Sequence, residues 1–253
     1  MGTCGSATGM TVALLSGTGR MGVHMAAAWA NAGMSVLMCS RDKPKAEKIV
    51  TSLLSGQGYR SGQIMVPPTD ATGWNLRASS VEECASADII ALTSVYEAQW
   101  SQIETIAPMI RGKGKIFIDC TNPFIYRGDG FGEGIYPKSL PQAAVLVHKQ
   151  KLNDPTAKWA MSYRHVFWFL IHPTGPSPQA TATGVEVLGD DEAVAVTADL
   201  LRAHGWDPVL RGGLDAAEDH EIEFGPAGGR RVKSKAKFPP RPRVGEPALT
   251  GEM

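Results

Sequence analysis

Apolar residues along this chain come in short unbroken runs, separated by stretches in which they recur every three or four positions. That is the signature of buried strands alternating with amphipathic helices. Residues 12–15, 36–38, 87–93 and 116–118 are runs of the first kind. Between them, 21–32 is rich in Ala and Met, lacks Pro and stops at Gly33, a helix C-cap signal. Ala46, Ile49, Val50, Leu53 and Leu54 keep helical spacing over 44–54. Residues 74–78 read as a short third strand. Ser80, followed by Glu82 and Glu83, opens a short helix with acids in its first turn. A further helix is expected over 97–109, with Pro108 close to its end. Residues 143–147 are expected to form a sixth strand that ends at His148-Lys149. The glycine- and proline-bearing stretches 55–73 and 123–141 read as loops.

Strand and helix in alternation predict an α/β chain, a Rossmann-like doubly wound and mostly parallel sheet. The expected organisation is a nucleotide-binding unit over 10–151, a small C-terminal lobe over 152–224 that can complete the same sheet, and a disordered basic tail over 225–253. Arg230, Arg231, Lys233, Lys235, Lys237, Arg241 and Arg243 follow one another in that tail with no acid between them, among Pro and Gly.

The first strand runs into Gly17-Thr18-Gly19-Arg20-Met21-Gly22 and the helix after it leads to a second strand, the context a phosphate-binding glycine turn requires. Gly17 suits a tight turn, Gly19 a close approach of backbone to a pyrophosphate, and Gly22 close packing of helix on strand. The N–H groups and positive dipole end of the helix supply the anion site. At the tip of the second strand, where an acidic residue would select NAD, stand Cys39, Ser40 and Arg41. A hydroxyl and a guanidinium fork suit the 2′-phosphate of NADP(H) instead. Lys43 and Lys45 add positive charge, and Asp42 is placed to cap the helix that starts near Pro44. Thr93, Ser94, Asn122 and His148 are assigned to the carboxyl ends of strands, where open α/β sheets bind ligands. Tyr96 and His148 are the candidate proton donors. No Ser/His/Asp set, paired carboxylates or metal-ligand spacing accompanies them, so no metal is expected.

The glycine run, followed at this spacing by Ser40-Arg41 and Lys45, resembles the NADPH-dependent coenzyme F420 reductase family, with a pyrroline-5-carboxylate reductase-type N-terminal NADP-binding domain. Residues 87–93 resemble that family's fourth strand and residues 116–123 its fifth. Residues 188–192 and 205–209, then Gly213-Leu214 and Glu218, resemble its closing strand–helix–strand segment. The resemblance implies that Thr18, Ser40, Arg41 and Lys45 hold NADP phosphates, and that a hydride passes between NADP(H) and a planar acceptor, either coenzyme F420, which is a deazaflavin, or a flavin. It departs from the family at Ser94-Val95-Tyr96, where a proline is usual. It departs again in the aromatic stretch 159–172 and beyond Phe224, where the family's acceptor-side and dimer-forming helices are replaced.

Composition narrows the alternatives. Lys and Arg number 25 against 25 Asp and Glu, so a general nucleic-acid binder is not expected. No apolar run approaches the ~20 residues that span a bilayer and no basic-then-apolar signal opens the chain, so a cytoplasmic protein is expected. The cysteines show no CxxC pairing and read as buried reduced thiols. The expected partner is a small-molecule redox acceptor, with a homodimer left open. Two other functions also remain open: a non-catalytic NADP-binding regulator, and an NADPH-dependent imine or carbonyl reductase.

Overall fold

The computed structural model describes residues 9–123, 125–126, 134–135, 142–180, 182–224 and 230–232. Eight strands form one sheet: β1 (Thr11–Leu15), β2 (Ser35–Cys39), β3 (Asn75–Ser79), β4 (Ile89–Leu92), β5 (Ile116–Asp119), β6 (Lys158–Ser162), β7 (Gly184–Gly189) and β8 (Asp207–Leu210). Their order is β3-β2-β1-β4-β5-β6-β7-β8. The first six run parallel; β7 lies antiparallel on β6, and β8 is parallel to β7. The expected doubly wound sheet is therefore present. Its order reverses between β1 and β4, which pair in the register Val12 with Ile89 through Leu15 with Leu92.

Strands buried on both faces need apolar residues at every position, and that is why these runs do not alternate with polar residues. Val12 and Leu14 face one core with Met38, Ala91 and Ile118; Ala13 and Leu15 face the other with Leu37, Ile90 and Phe117. On the first face lie α1 (Arg20–Asn31), α2 (Lys43–Leu54) and α5 (Asp191–Ala203). On the second lie α3 (Tyr96–Ile110) and α4 (Ala144–Leu152). Asp42 caps α2 by accepting from the Lys45 N–H at 3.1 Å, as its position suggested.

The structure corrects several expectations. Residues 144–152 form a helix and not the sixth strand, so His148 sits mid-helix. Ala144, Val145, His148 and Leu152 are its buried residues, at helical spacing, and Asn153 ends it in a left-handed conformation at φ 51°. Five apolar residues in a row suit either element, and flanking Lys and Gln are good helix formers. The sixth strand is β6 instead, one element later. Within the expected loop 55–73 a short hairpin pairs Tyr59–Ser61 with Ile64–Val66. Pro108 lies inside α3, which continues to Ile110. Cys39 and Cys84, expected as separate thiols, are brought side by side by β2 and the 3-10 turn Glu82–Ser86, with their Cα atoms 6.5 Å apart. Most of the basic tail lies outside the described residues; Arg230–Val232 pairs antiparallel with Ile222–Phe224.

The aromatic stretch proves to be part of the connection from β6 to β7, crossing the first face of the sheet beside α1. It carries a 3-10 turn, Trp168–Leu170, and a small hairpin of Ile171–His172 with Gly175–Pro176. Two histidines hold it by consecutive carbonyls. His24 of α1 bonds through Nδ1 to the Ile171 oxygen at 2.9 Å, and His204, just past α5, bonds through Nε2 to the His172 oxygen at 2.5 Å. Trp206 donates to His204 Nδ1 at 3.0 Å, which fixes the neutral tautomer with its proton on Nε2.

Candidate functional site

Each glycine of the turn after β1 has a distinct physical role. A side chain on Gly22 would bring Cβ within 2.6 Å of the Gly17 Cα, so α1 lies too close to the turn for any other residue. At Gly17 the obstruction is β2: Cβ would come within 2.9 Å of Met38 Cγ and 3.2 Å of the Cys39 nitrogen. The Gly17 N–H also donates to the Cys39 carbonyl at 2.9 Å. Gly19 is different, since a Cβ there meets only the Ser16 oxygen at 3.3 Å. Its hydrogen leaves room above the start of α1, not inside the protein.

The N-terminus of α1 has no side-chain cap and no acid in its first turn. The leading N–H groups of a helix have no intrahelical acceptor, so here they are left to a ligand or to solvent. Thr18, Gly19, Arg20 and Met21 line this end and are all half-buried. The residue with left-handed backbone is Ser16, at φ 60°, one position before the glycine run. Gln102 of α3 donates to the Ser16 hydroxyl at 2.6 Å and holds it there.

The next loop at the switch point is tied as tightly. Thr93 donates its hydroxyl to the Leu15 carbonyl at 2.7 Å, closing β1 on β4 beyond their last pair. Gln99, with its amide oxygen turned to the loop, accepts from the Thr93 and Ser94 N–H groups at 3.2 and 2.7 Å. Gln99 and Gln102 were not singled out in the sequence, although two polar residues three apart on the inward face of an apolar helix are a signal worth reading.

At the tip of β2, Ser40 is buried and Arg41 exposed. The Ser40 hydroxyl accepts from the Asp42 N–H at 3.1 Å, which leaves its proton to donate elsewhere. Both residues line a cavity of about 330 Å³ whose other walls are Ser80, Val81 and Glu82 and, from α3, Ser101, Gln102 and Thr105. Lys43, also in the lining, gives its charge to Glu83 at 2.9 Å, and Lys45 is exposed on the first turn of α2. A larger cavity of about 520 Å³, lined by Lys158, Asp190 and Gly213 among others, lies at the opposite end of the sheet and receives none of the expected residues.

Asn122, Tyr96 and His148 are drawn into a different arrangement at the end of β5. His148 Nδ1 lies 2.7 Å from Asp119 Oδ2 with both side chains fully buried, and its Nε2 lies 3.4 Å from the Tyr96 carbonyl. The Tyr96 ring is buried against it at 5.1 Å. Arg164 stands 3.8 Å from Asp119 and pairs with Glu221, whose other oxygen accepts from the Ala144 N–H at 2.8 Å. Burial would raise the Asp119 carboxyl, but His148 and Arg164 beside it, with hydrogen bonds from His148 and Thr121, hold it down at about 2. The result is a buried ion network joining β5, α4, the β6–β7 connection and Glu221. It commits the His148 imidazole to the interior, with the Tyr96 ring buried beside it. Asn122 donates to the Arg164 carbonyl at 2.9 Å, while its own oxygen and the Arg164 Nε are buried without a partner among the described residues. Sequence spacing gave no sign of this network, because its members come from four separate segments.

Among the described residues no group of three or more His, Cys, Asp and Glu is arranged to hold a metal ion, and no helix is long and apolar enough to cross a membrane.

With this geometry in view, comparison with known proteins is specific for the first half of the chain. Residues 11–123 match the family described as NADP oxidoreductase, coenzyme F420-dependent. An F420-dependent NADP reductase of Methanothermobacter thermautotrophicus is 32% identical over 114 residues, which are 45% of this chain and 44% of the relative. The chain is thus matched to less than half the length of that protein. Among solved structures, a Sinorhizobium meliloti protein of unassigned function superposes with a TM-score of 0.61 at 14% identity, covering 85% of this chain and 90% of that one. A protein of an Arthrobacter species, provisionally named an F420-dependent NADP reductase, does so with 0.60 at 20% identity, covering 83% and 87%. An imine reductase of Bacillus cereus gives 0.52 at 18% identity, covering 80% of this chain and 55% of that one. These likenesses establish the fold along most of the chain, and over residues 11–123, the segment that carries the glycine turn and Ser40-Arg41, the similarity is to the coenzyme F420-dependent NADP oxidoreductases.

Proposed function

We propose that this protein binds NADP(H) across the carboxyl ends of β1 and β4 and transfers a hydride between it and a planar acceptor of the deazaflavin or flavin class. The observation that carries the reading is the pairing of an uncapped, glycine-opened helix N-terminus with a β2 tip that offers Ser40 and Arg41 to a phosphate. Asp42, the acid nearest that tip, is committed to capping α2.

In this reading Gly19 and the first turn of α1, with Thr18, Arg20 and Met21, hold the pyrophosphate, and Gly17 and Gly22 keep the turn in place. Ser40 and Arg41, with Lys45 nearby, hold the 2′-phosphate. Ser94 and Asn122 stand on the nicotinamide side, and the buried Asn122 oxygen without a partner is an acceptor suited to an amide N–H. Thr93 acts from below, locking the β1 and β4 loops together. Bound NADPH supplies the hydride from its nicotinamide C4. The protein's contribution is to orient two rings face to face and to exclude water between them. A deazaflavin or flavin acceptor needs no side-chain proton donor for that step, which agrees with Tyr96 and His148 being turned inward.

The test is NADPH oxidation, followed by its near-ultraviolet absorbance, with deazaflavin, flavin, quinone and imine acceptors offered in turn. Turnover with a deazaflavin or flavin and little with an imine is the expected pattern. Imine turnover alone would favour reductase chemistry with a proton donor still to be found. NADPH binding without turnover on any acceptor would point to a regulatory protein.

A further inference from the structure

Ser16 is the pivot of the glycine turn. It stands between β1 and Gly17 with left-handed backbone at φ 60°, a region that favours glycine, yet it carries a side chain. Its carbonyl accepts from the Gly19 N–H at 2.9 Å, and the Gly17 N–H beside it is held by the Leu14 and Cys39 carbonyls at 3.0 and 2.9 Å. The direction in which the turn presents the start of α1 is therefore set at residue 16. What holds that residue comes from another element. Gln102 of α3, 3% exposed, donates to the Ser16 hydroxyl at 2.6 Å and to the Ala98 carbonyl at 3.1 Å. Both amide hydrogens are thereby spent, so as a donor Gln102 acts on a ligand only through Ser16.

Gln99, three residues earlier and fully buried, serves the neighbouring loop, where it accepts from the Thr93 and Ser94 N–H groups. A buried amide costs stability unless it is bonded, and an apolar residue at either position would give α3 more surface to bury on the sheet. Instead each glutamine meets one loop at the switch point of the sheet. Gln102 also lines the β2-tip cavity together with Ser40 and Arg41, which puts it between the glycine turn and that tip.

We propose that α3 pre-organises the dinucleotide site through two positioning residues with separate duties: Gln102 aims the phosphate turn through Ser16, and Gln99 sets the nicotinamide-side loop through Thr93 and Ser94. The inference rests on reading the carboxyl ends of β1 and β4 as the NADP(H) site. Left-handed backbone is uphill for serine, and the Gln102 bond offsets that cost. Without it residue 16 relaxes toward an ordinary φ and carries Gly19 with it, so the ligand must restore the turn on binding and affinity falls. The duties are separable, because adenosine 2′,5′-bisphosphate carries the phosphorylated ribose and a 5′-phosphate but no nicotinamide.

Calorimetric titration of the full-length protein with NADPH and with adenosine 2′,5′-bisphosphate tests this in wild type, Gln102→Leu, Ser16→Ala, the double variant of those two, and Gln99→Leu. Gln102→Leu is expected to lose about fivefold or more for both ligands, Ser16→Ala as much, and the double variant no more than either, because the two residues share one contact. Gln99→Leu is expected to lose about fivefold or more for NADPH and to bind the bisphosphate within about twofold of wild type. Purely structural glutamines would lower the urea midpoint and leave both affinities of the folded protein unchanged. That result would overturn the proposal, as would losses that add in the double variant or equal losses on both ligands in Gln99→Leu. Should a glutamine variant fail to fold, Ser16→Ala decides, and its binding the bisphosphate like wild type would overturn the proposal. Failure of the wild type to bind either ligand would overturn the reading of the site, and the positioning roles with it.

Discussion

Gly17, Gly19 and Gly22 lie within six residues, and only two of them are required by the fold itself. At Gly22 any side chain meets the backbone of Gly17, and at Gly17 it meets β2, whereas at Gly19 it meets only the Ser16 carbonyl oxygen, at 3.3 Å. This separation leads to a paired prediction. Gly22→Ala should destabilise the protein by ~1–3 kcal/mol through overpacking of α1 on the turn. Gly19→Val should cost only ~1 kcal/mol of stability, from the tight Ser16 contact and a poorer N-cap, yet lose at least tenfold in NADPH affinity, because its methyls occupy the approach of the pyrophosphate. Denaturant unfolding and NADPH titration of the two variants check it; a Gly19→Val protein that binds NADPH normally would reduce the glycine run to a structural turn. These glycine roles were legible in the sequence because they follow from spacing alone. The left-handed residue was not: the strain falls on Ser16 and is held by Gln102, eighty-six residues away, a contact no local pattern announces.

At the scale of elements, legibility followed the same boundary between local and long-range causes. β1 through β5, α1, α2 and α3 are set by apolar runs, helical spacing and caps within a dozen residues, and the sequence marked each of them. The helix at 144–152 was misread because a five-residue apolar run fits both elements. The β6–β7 connection was marked only as aromatic and histidine-rich; what it does depends on α1 and α5, which grip it through His24 and His204. That grip makes the connection acid-labile. Burial pushes the His24 imidazole from the usual 6.5 down to about 4, with the Ile171 carbonyl opposing and His172 adding to the shift. Burial likewise lowers His204. A depressed folded-state value means that the unfolded chain takes up the proton first. The His24 contribution is therefore complete above pH 6.5 and lost as the pH falls toward 4, by ~3 kcal/mol over the window. His24→Gln retains a donor for Ile171 and cannot titrate. Urea unfolding at pH 7 and pH 4.5 should show a smaller acid loss in the variant than in wild type; identical losses would remove His24 as the cause.

The whole molecule divides unequally between what one strand-turn-helix unit can specify and what only the complete sheet can. The half that carries the glycine turn is built from residues 11–123, contiguous in sequence and similar over that same range to the coenzyme F420-dependent NADP oxidoreductases. The buried ion network is assembled from Asp119, His148, Arg164 and Glu221, contributed by β5, α4, the β6–β7 connection and the segment after β8. Its chemistry was not readable beforehand, since none of those residues stands in a recognisable spacing to another. β6, β7 and β8 extend the sheet of the first half, so both halves share one sheet and their relative placement is fixed by strand pairing. The central claim, that the β2 tip selects the phosphorylated dinucleotide, is tested most directly by titrating wild type and Arg41→Ala with NADPH and with NADH. Wild type should bind NADPH far more tightly than NADH. Arg41→Ala should lose a charge-assisted phosphate contact worth ~1.5–3 kcal/mol, about ten- to a hundredfold in NADPH affinity, with NADH binding unchanged. Equal affinity of the wild type for the two dinucleotides, or an Arg41→Ala protein that keeps full preference for NADPH, would contradict the account.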